Sequence, residues 1–221
     1  QQLPTPQGFV GELRTYKQQG LGWLQFLRDT EHGGILADDM GLGKTAQTLA
    51  HILLEKQAGH LQQKPALIIA PTSLMYNWLK EAQKFTPDLK VLVLQGANRH
   101  QDFDKIPQHD IVLSTYPLLA RDEELLKQHS YHLLILDEAQ NIKNPRAKAA
   151  QVVRQLDAQH RLCLTGTPME NHLGELWSLF HFLMPGLLSD ADTFRQHYRN
   201  PIERDADADR QKQLNTRLQP L

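Results

Sequence analysis

The sequence has a single cysteine, Cys163 in "RLCLTGT". One thiol excludes an internal disulfide, so the fold must be held by its core, and the chain fits a reducing compartment. Cys163 itself reads as a small buried apolar side chain. Neither sign of charge is in excess, since 24 Lys and Arg stand against 25 Asp and Glu, a formal net charge of −1. Bulk electrostatics therefore do not announce a nucleic-acid binder, although a local basic groove would be averaged away in that sum. Long apolar runs are also lacking. The longest, such as "ALIIA" and "HLLIL", fall far short of the roughly 20 residues that span a bilayer, which excludes a spanning helix of that type and leads us to expect a cytoplasmic protein with no membrane partner. The opening "QQLPTPQGF" has no basic start, no apolar segment and no Met, so it is no signal peptide and is expected to lie inside a longer protein. The 11 histidines are scattered without ligand spacing, and no metal cluster is expected of them.

What is present is ordinary in amount and ordered in pattern. Apolar residues make up 40% of the 221 and charged residues 22%, enough for one sizeable α/β domain, alone or with an appendage. Short apolar runs recur at 34–37, 66–70, 91–94, 110–115, 133–136 and 161–165. None alternates apolar with polar, as expected of strands covered on both faces. Helix-length stretches lie between them. "SLMYNWLKEAQKF" sets Leu74, Trp78, Leu79, Ala82 and Phe85 on one stripe, with Thr72 or Ser73 as the expected N-cap. "LRTYKQQGLGWLQFLRD" has helical spacing, and Pro145 is placed to open a helix through Ala150 and Val153. Strands alternating with helices predict a mainly parallel sheet between helices. From residue 172 the pattern turns helical and aromatic, then charged. We therefore divide the chain into an α/β lobe over 1–171 and a helical extension over 172–221.

Three segments carry candidate chemistry. In "GGILADDMGLGKTAQTLAHI" a strand runs through a small-residue turn into a helix, so that backbone N–H groups and the helix N-terminus point at one spot, a ready anion site. The loop of Asp39, Met40, Gly41, Leu42, Gly43, Lys44 and Thr45 would cradle phosphates, Gly41 and Gly43 letting backbone approach closely, Lys44 reaching the β- and γ-phosphates and Thr45 holding Mg²⁺. The full phosphate-loop pattern has glycine where this chain has Asp38, and by itself the segment also fits a plain turn before a helix. In "HLLILDEAQ" a strand delivers Asp137 and Glu138 to the sheet edge at which such folds bind ligands. Asp137 would hold Mg²⁺ and Glu138 would orient or deprotonate the attacking water. Acids after strands also serve as caps. "LTGTPMEN" places Thr165, Gly166 and Thr167 beside the same edge, or forms only a turn ended by Pro168.

The order of "LRTYKQQGLGWL", "LADDMGLGKT", "LIIAPTSLMYNW", "IVLSTY", "LDEAQNIKNP", "LTGTPMENHLGELWSLFHFLMPGLL" and "FRQHYRNPI" resembles the Swi/Snf-type ATPases of helicase superfamily two, bacterial members included. The resemblance runs from about Leu13 to Ile202, and "DEAQNIKNP" with "GTPMEN…ELWSLFHFL" separates it from DEAD-box RNA helicases. It implies a RecA-like lobe, ATP and Mg²⁺ as cofactors, and DNA-dependent ATP hydrolysis with Lys44, Asp137 and Glu138 as catalytic residues. Residues 165–167 match the segment that couples nucleotide state to domain movement. Thr72, Ser73 and Thr115 match segments that grip the phosphates of one DNA strand, and Arg14 and Tyr16 match a segment that packs near the base. The family's adenine-reading glutamine is replaced by Lys17, with Gln18 one place later. Family members continue into a second lobe of similar fold, which supplies arginines to the nucleotide and half of the DNA track. The implied partner is double-stranded DNA, held together with that lobe, and through it a DNA-bound complex such as transcription machinery; a bacterial member would be nucleoid-associated. A strand-separating helicase, or a nucleotide-gated interaction module using the aromatic helix around Trp177 and Phe180, are the alternatives.

Overall fold

The structure is a computed structural model that describes residues 4–11, 43–142, 144, 146–165 and 182–183, together with the backbone of 34–37. The six apolar runs are six strands: β1 (Gly34–Ala37), β2 (Ala66–Ala70), β3 (Val91–Val93), β4 (Ile111–Thr115), β5 (Ser130–Leu136) and β6 (Asp157–Thr165). They form one parallel sheet in the order β1-β6-β5-β2-β4-β3. β5 and β6 begin earlier than their apolar runs, because Ser130 pairs with Asp157 and a side-chain hydrogen bond of 2.6 Å joins them. Polar residues at the sheet's rim are invisible to a search for hydrophobic runs.

Helices α1 (Lys44–Gln57) and α2 (Thr72–Phe85) accompany one sheet face. Ile68, Leu133, Ile135, Leu162 and Leu164 pack there with Leu49, Ile52, Met75, Trp78 and Ala82. On the opposite face Leu67, Ile69, Leu134, Leu136 and Cys163 pack with residues of α3 (Tyr116–Arg121), α4 (Glu123–Lys127) and α5 (Lys148–Gln155), and with Phe182 and Leu183. Successive strand residues point to opposite faces, so a strand apolar at every position is what two covered faces require. Cys163 is buried, as its surroundings in sequence suggested, and burial pushes its thiol pKa far up. The short N-terminal stretch is pinned to this body by Phe9 stacked on Phe85 and by the Val10 N–H donating to the Phe85 carbonyl at 2.8 Å.

Two expected helix starts are corrected. Pro71, not Thr72 or Ser73, occupies the N-cap of α2: its φ of −56° and ψ of 147° suit that position, and its carbonyl accepts from the Leu74 N–H at 2.9 Å. The helix expected from Pro145 begins at Lys148, after Ala147. Asn144 delays it, since its side chain accepts from the Arg146 N–H at 3.0 Å and its carbonyl from the Ala147 N–H at 3.1 Å. Among the described residues no helix is long and apolar enough to cross a membrane.

At the sheet edge where the strands begin, His132 is enclosed between Glu55 Oε1 and Gln159 Oε1, each 2.9 Å from a ring nitrogen. His132 and Glu55 are both buried. Glu55→Ala should therefore cost roughly 2 to 4 kcal/mol, from a lost buried hydrogen bond and the space left behind. Urea denaturation against the wild type measures this, and a change within error would show that the pair contributes nothing.

Candidate functional site

Because all strands are parallel and in register, the carboxyl ends of β1, β2, β4, β5 and β6 share one edge. The chain enters α1 through Gly43 at φ 97°, a left-handed conformation that favours glycine, and no side chain caps the helix. Lys44 follows. It is only 5% exposed, and its Nζ has no hydrogen-bond partner among the described residues. Among the described residues its ion-pair partner is Glu138 Oε1 at 3.9 Å. A buried ammonium with three unused donors is costly by itself and suited to an incoming anion. The residues present thus fit a phosphate group. Thr45 stands half-buried in the first turn of the same helix.

The second half of the site follows β5. The Asp137 N–H donates to the Ile69 carbonyl at 2.8 Å and so extends the sheet by one bond. Its side chain is fixed twice, Oδ1 accepting from the Glu138 N–H at 2.9 Å and Oδ2 from the Trp78 indole N–H at 2.8 Å. Its main-chain carbonyl accepts from the Tyr116 hydroxyl at 2.6 Å. Burial raises the Asp137 pKa and Glu138 adds to that, while the Trp78 hydrogen bond and the charge of Lys44 pull it down. Tyr116 is held well above the ordinary tyrosine value, chiefly by burial, and remains a donor.

Glu138 adopts φ 49°, unusual for a residue with a Cβ and typical of backbone held at functional positions. Asn141 secures the turn, its N–H and its side-chain amide both donating to the Glu138 carbonyl at 3.0 and 2.8 Å. The carboxylate of Glu138 accepts from Gln140 Nε2 at 2.5 Å, and Gln140 Oε1 in turn accepts from Thr165 Oγ1 at 3.2 Å. Thr165, at the end of β6, is therefore two hydrogen bonds from Glu138.

The structure brings together Lys44, Asp137, Glu138 and Thr165. Thr72 and Ser73 are exposed at the first turn of α2 on the same edge. Thr115, in contrast, is buried at 2% exposure. Arg14, Lys17, Asp38, Asp39, Met40, Gly41, Leu42, Gly166 and Thr167 lie outside the described residues, as does the extension apart from Phe182 and Leu183. Sequence reasoning missed Trp78, Tyr116 and Gln140. The sequence places Trp78 on an apolar stripe, yet a tryptophan there still carries an N–H that must find a partner when buried.

Residues 16–221 match the family model for the SNF2-related domain. YwqA of Bacillus subtilis, named for an ATP-dependent helicase/translocase, is 45% identical over 216 residues, covering 96% of this chain and 23% of that protein. The ISWI chromatin-remodeling complex ATPase ISW1 of Saccharomyces cerevisiae is 38% identical over 221 residues, 96% of this chain and 19% of that protein. The Sulfolobus solfataricus SWI2/SNF2 ATPase core in complex with dsDNA superposes with a TM-score of 0.89 at 37% identity, covering 100% of this chain and 47% of that one. The chain thus spans about a fifth of these two curated relatives and about half of the solved core. Its RecA-like sheet, the order of its motifs and a match across nearly its whole length place this chain in the SNF2-related, Swi/Snf-type family of ATPases.

Proposed function

We propose that the chain is the first motor lobe of an ATP-driven translocase on double-stranded DNA, with 1–171 as the nucleotide-binding lobe and 172–221 leading to a second lobe. The observation that carries this reading is the meeting of Lys44 with Asp137 and Glu138 across nearly a hundred residues of sequence, at 3.9 Å for the closest charged pair. Residues 39–45 would hold the phosphates, with Thr45 and Asp137 holding Mg²⁺ and Arg14 lying near the base. When bound, Mg²⁺ supplies neutralisation of charge on the transferring phosphoryl group. Glu138 would orient the attacking water and take its proton. Residues 165–167 would couple this site to lobe movement. On the same edge the exposed hydroxyls of Thr72 and Ser73 suit DNA phosphates; Thr115, buried, is the weakest of the three assignments. The solved relative bound to duplex DNA supports this partner, and a relative named a TATA-binding protein-associated factor suits action on a DNA-bound complex. A cytoplasmic setting goes with that reading, nucleoid-associated if the protein is bacterial.

The test is hydrolysis by the full-length protein with duplex DNA or single-stranded RNA. Stimulation by duplex DNA is expected; stimulation by RNA alone would favour a strand-separating helicase. The 221-residue chain by itself should bind nucleotide weakly and turn over almost none, since an arginine from a second lobe contributes on the order of 10³ to 10⁵ in rate. Turnover equal to that of a two-lobe protein would defeat this.

Gln140 offers a narrower test. Gln140→Leu removes both the donor to Glu138 and the acceptor for Thr165. Turnover should fall on the order of 10- to 100-fold, as for a misplaced catalytic group, with nucleotide affinity unchanged. Steady-state kinetics beside a binding titration reads both, and an unchanged kcat would remove Gln140 from the mechanism.

A further inference from the structure

We propose that Trp78 and Tyr116 are positioning residues that transmit DNA contact to Asp137, a proposal that rests on the functional reading above. The two arrive from different segments. Trp78 lies on α2, six residues after the exposed Thr72, or roughly 9 Å along the helix axis at 1.5 Å per residue. Tyr116 directly follows Thr115 at the end of β4. Both segments are those the family resemblance assigns to the DNA backbone, the first with Thr72 exposed and the second, the weaker route, with Thr115 buried, and both end on one residue.

They grip it in complementary ways. Trp78 holds the carboxylate through Oδ2 at 2.8 Å, and Tyr116 holds the main-chain carbonyl at 2.6 Å. An indole has one donor, which a buried tryptophan could satisfy on any nearby backbone carbonyl. Here it is committed to the acid at the phosphate-binding edge, 59 positions away in sequence. Trp78 is 1% exposed and packed with Met75 and Ala82 of its own helix against the sheet. A close-packed helix moves as a unit, so a pull on its first turn shifts the indole as well. With Oδ2 occupied by the indole and Oδ1 accepting from the Glu138 N–H, the carboxylate plane has little freedom to turn.

Coupling of this kind is reciprocal: DNA should raise affinity for the magnesium–nucleotide complex by the same factor by which that complex raises affinity for DNA. Trp78→Phe deletes the indole donor and keeps an aromatic ring; Tyr116→Phe deletes a single hydroxyl. In the full-length protein, titration calorimetry with a non-hydrolysable ATP analogue, with and without Mg²⁺ and with and without a DNA duplex, separates the contributions. For Trp78→Phe the gain in nucleotide affinity on adding Mg²⁺ should shrink on the order of tenfold, as for loss of a hydrogen bond to a charged group. The DNA coupling factor should fall towards one. Affinity without Mg²⁺, which rests on Lys44 and its loop, should stay as in the wild type. Tyr116→Phe should move the same quantities in the same direction by less.

An equal fall with and without Mg²⁺ would mean general damage and would overturn the proposal. So would a coupling factor that survives both substitutions. Should Trp78→Phe fail to fold, as judged by its melting curve, Tyr116→Phe decides alone, and unchanged coupling there rejects the clasp. A wild-type protein without magnesium-dependent nucleotide binding would overturn the functional reading and the clasp together, an outcome distinct from intact wild-type coupling that ignores the two substitutions.

Discussion

Lys44→Met is expected to remove most of the nucleotide affinity while leaving the unliganded protein at least as stable as the wild type. The two effects have one origin. Lys44 Nζ is desolvated, lacks a hydrogen-bond partner among the described residues, and faces Glu138 only at 3.9 Å, with the Glu138 side chain 28% exposed and screened by water. A long contact of this kind returns little of the desolvation cost of a buried ammonium. Replacing that cation by an apolar chain of similar length should be neutral or stabilising, because it removes a desolvated charge with no hydrogen bond to lose and leaves behind a Glu138 that water can solvate. Lys44 also draws the Asp137 pKa down, but burial outweighs that influence, and Asp137 can answer its loss by taking a proton more readily. In the nucleotide complex the balance reverses. Truncating one partner of a desolvated charge pair costs about 2 to 5 kcal/mol, roughly 30-fold to several thousand-fold in affinity. Thermal denaturation reads both halves at once. The wild type should gain stability with Mg-ATP, by about 2.7 kcal/mol at a hundredfold excess over Kd, and Lys44→Met should show almost no ligand-induced shift. A variant that melts much lower without nucleotide would mean that Lys44 is a structural cation.

Much of the framework behind that expectation is written locally in the sequence. Doubly covered strands need apolar residues at every position, and "ALIIA" and "HLLIL" satisfy this without reference to the rest of the chain. Since parallel strands align their ends, the motif at the end of each run could be assigned to one edge before any coordinates. Capping could not be read so directly. Ser and Thr are the commoner N-caps, yet at α2 the fixed φ of Pro71 takes the position and leaves Thr72 and Ser73 one and two places into the helix. What sequence periodicity hid is the set of hydrogen bonds around the acids. A helical stripe identifies Trp78 as inward-facing and says nothing of what its N–H meets across the sheet. Tyr116 is likewise defined by the Asp137 carbonyl just past β5, and Gln140 by Thr165 at the end of β6 as well as by Glu138 of its own turn. Such contacts depend on register and rotamer, which emerge only when separate segments pack.

Glu138→Gln should bind nucleotide as the wild type does, or more tightly, and hydrolyse it on the order of 10² to 10⁴ times more slowly, the usual contribution of a positioned general base. The substitution is close to isosteric, and the backbone that sets the side chain does not depend on its charge. The φ of 49° is held by Asn141, whose two donors reach the Glu138 carbonyl, and by the Glu138 N–H bond to Asp137. The Gln140 contact also survives, because the oxygen of an amide at 138 can accept from Gln140 Nε2 as the carboxylate does. What disappears is basicity, since an amide cannot take the proton of an attacking water. The negative charge beside Lys44 disappears too, freeing that ammonium for phosphate and favouring the bound state. Binding and turnover should therefore separate: calorimetry finds Kd equal or lower, and single-turnover experiments find the chemical step slowed with ATP still held. Hydrolysis at the wild-type rate would transfer the water-positioning role away from Glu138. Joint loss of binding and hydrolysis would instead make its charge part of the nucleotide cradle, and Lys44 would then owe its orientation to the carboxylate 3.9 Å away.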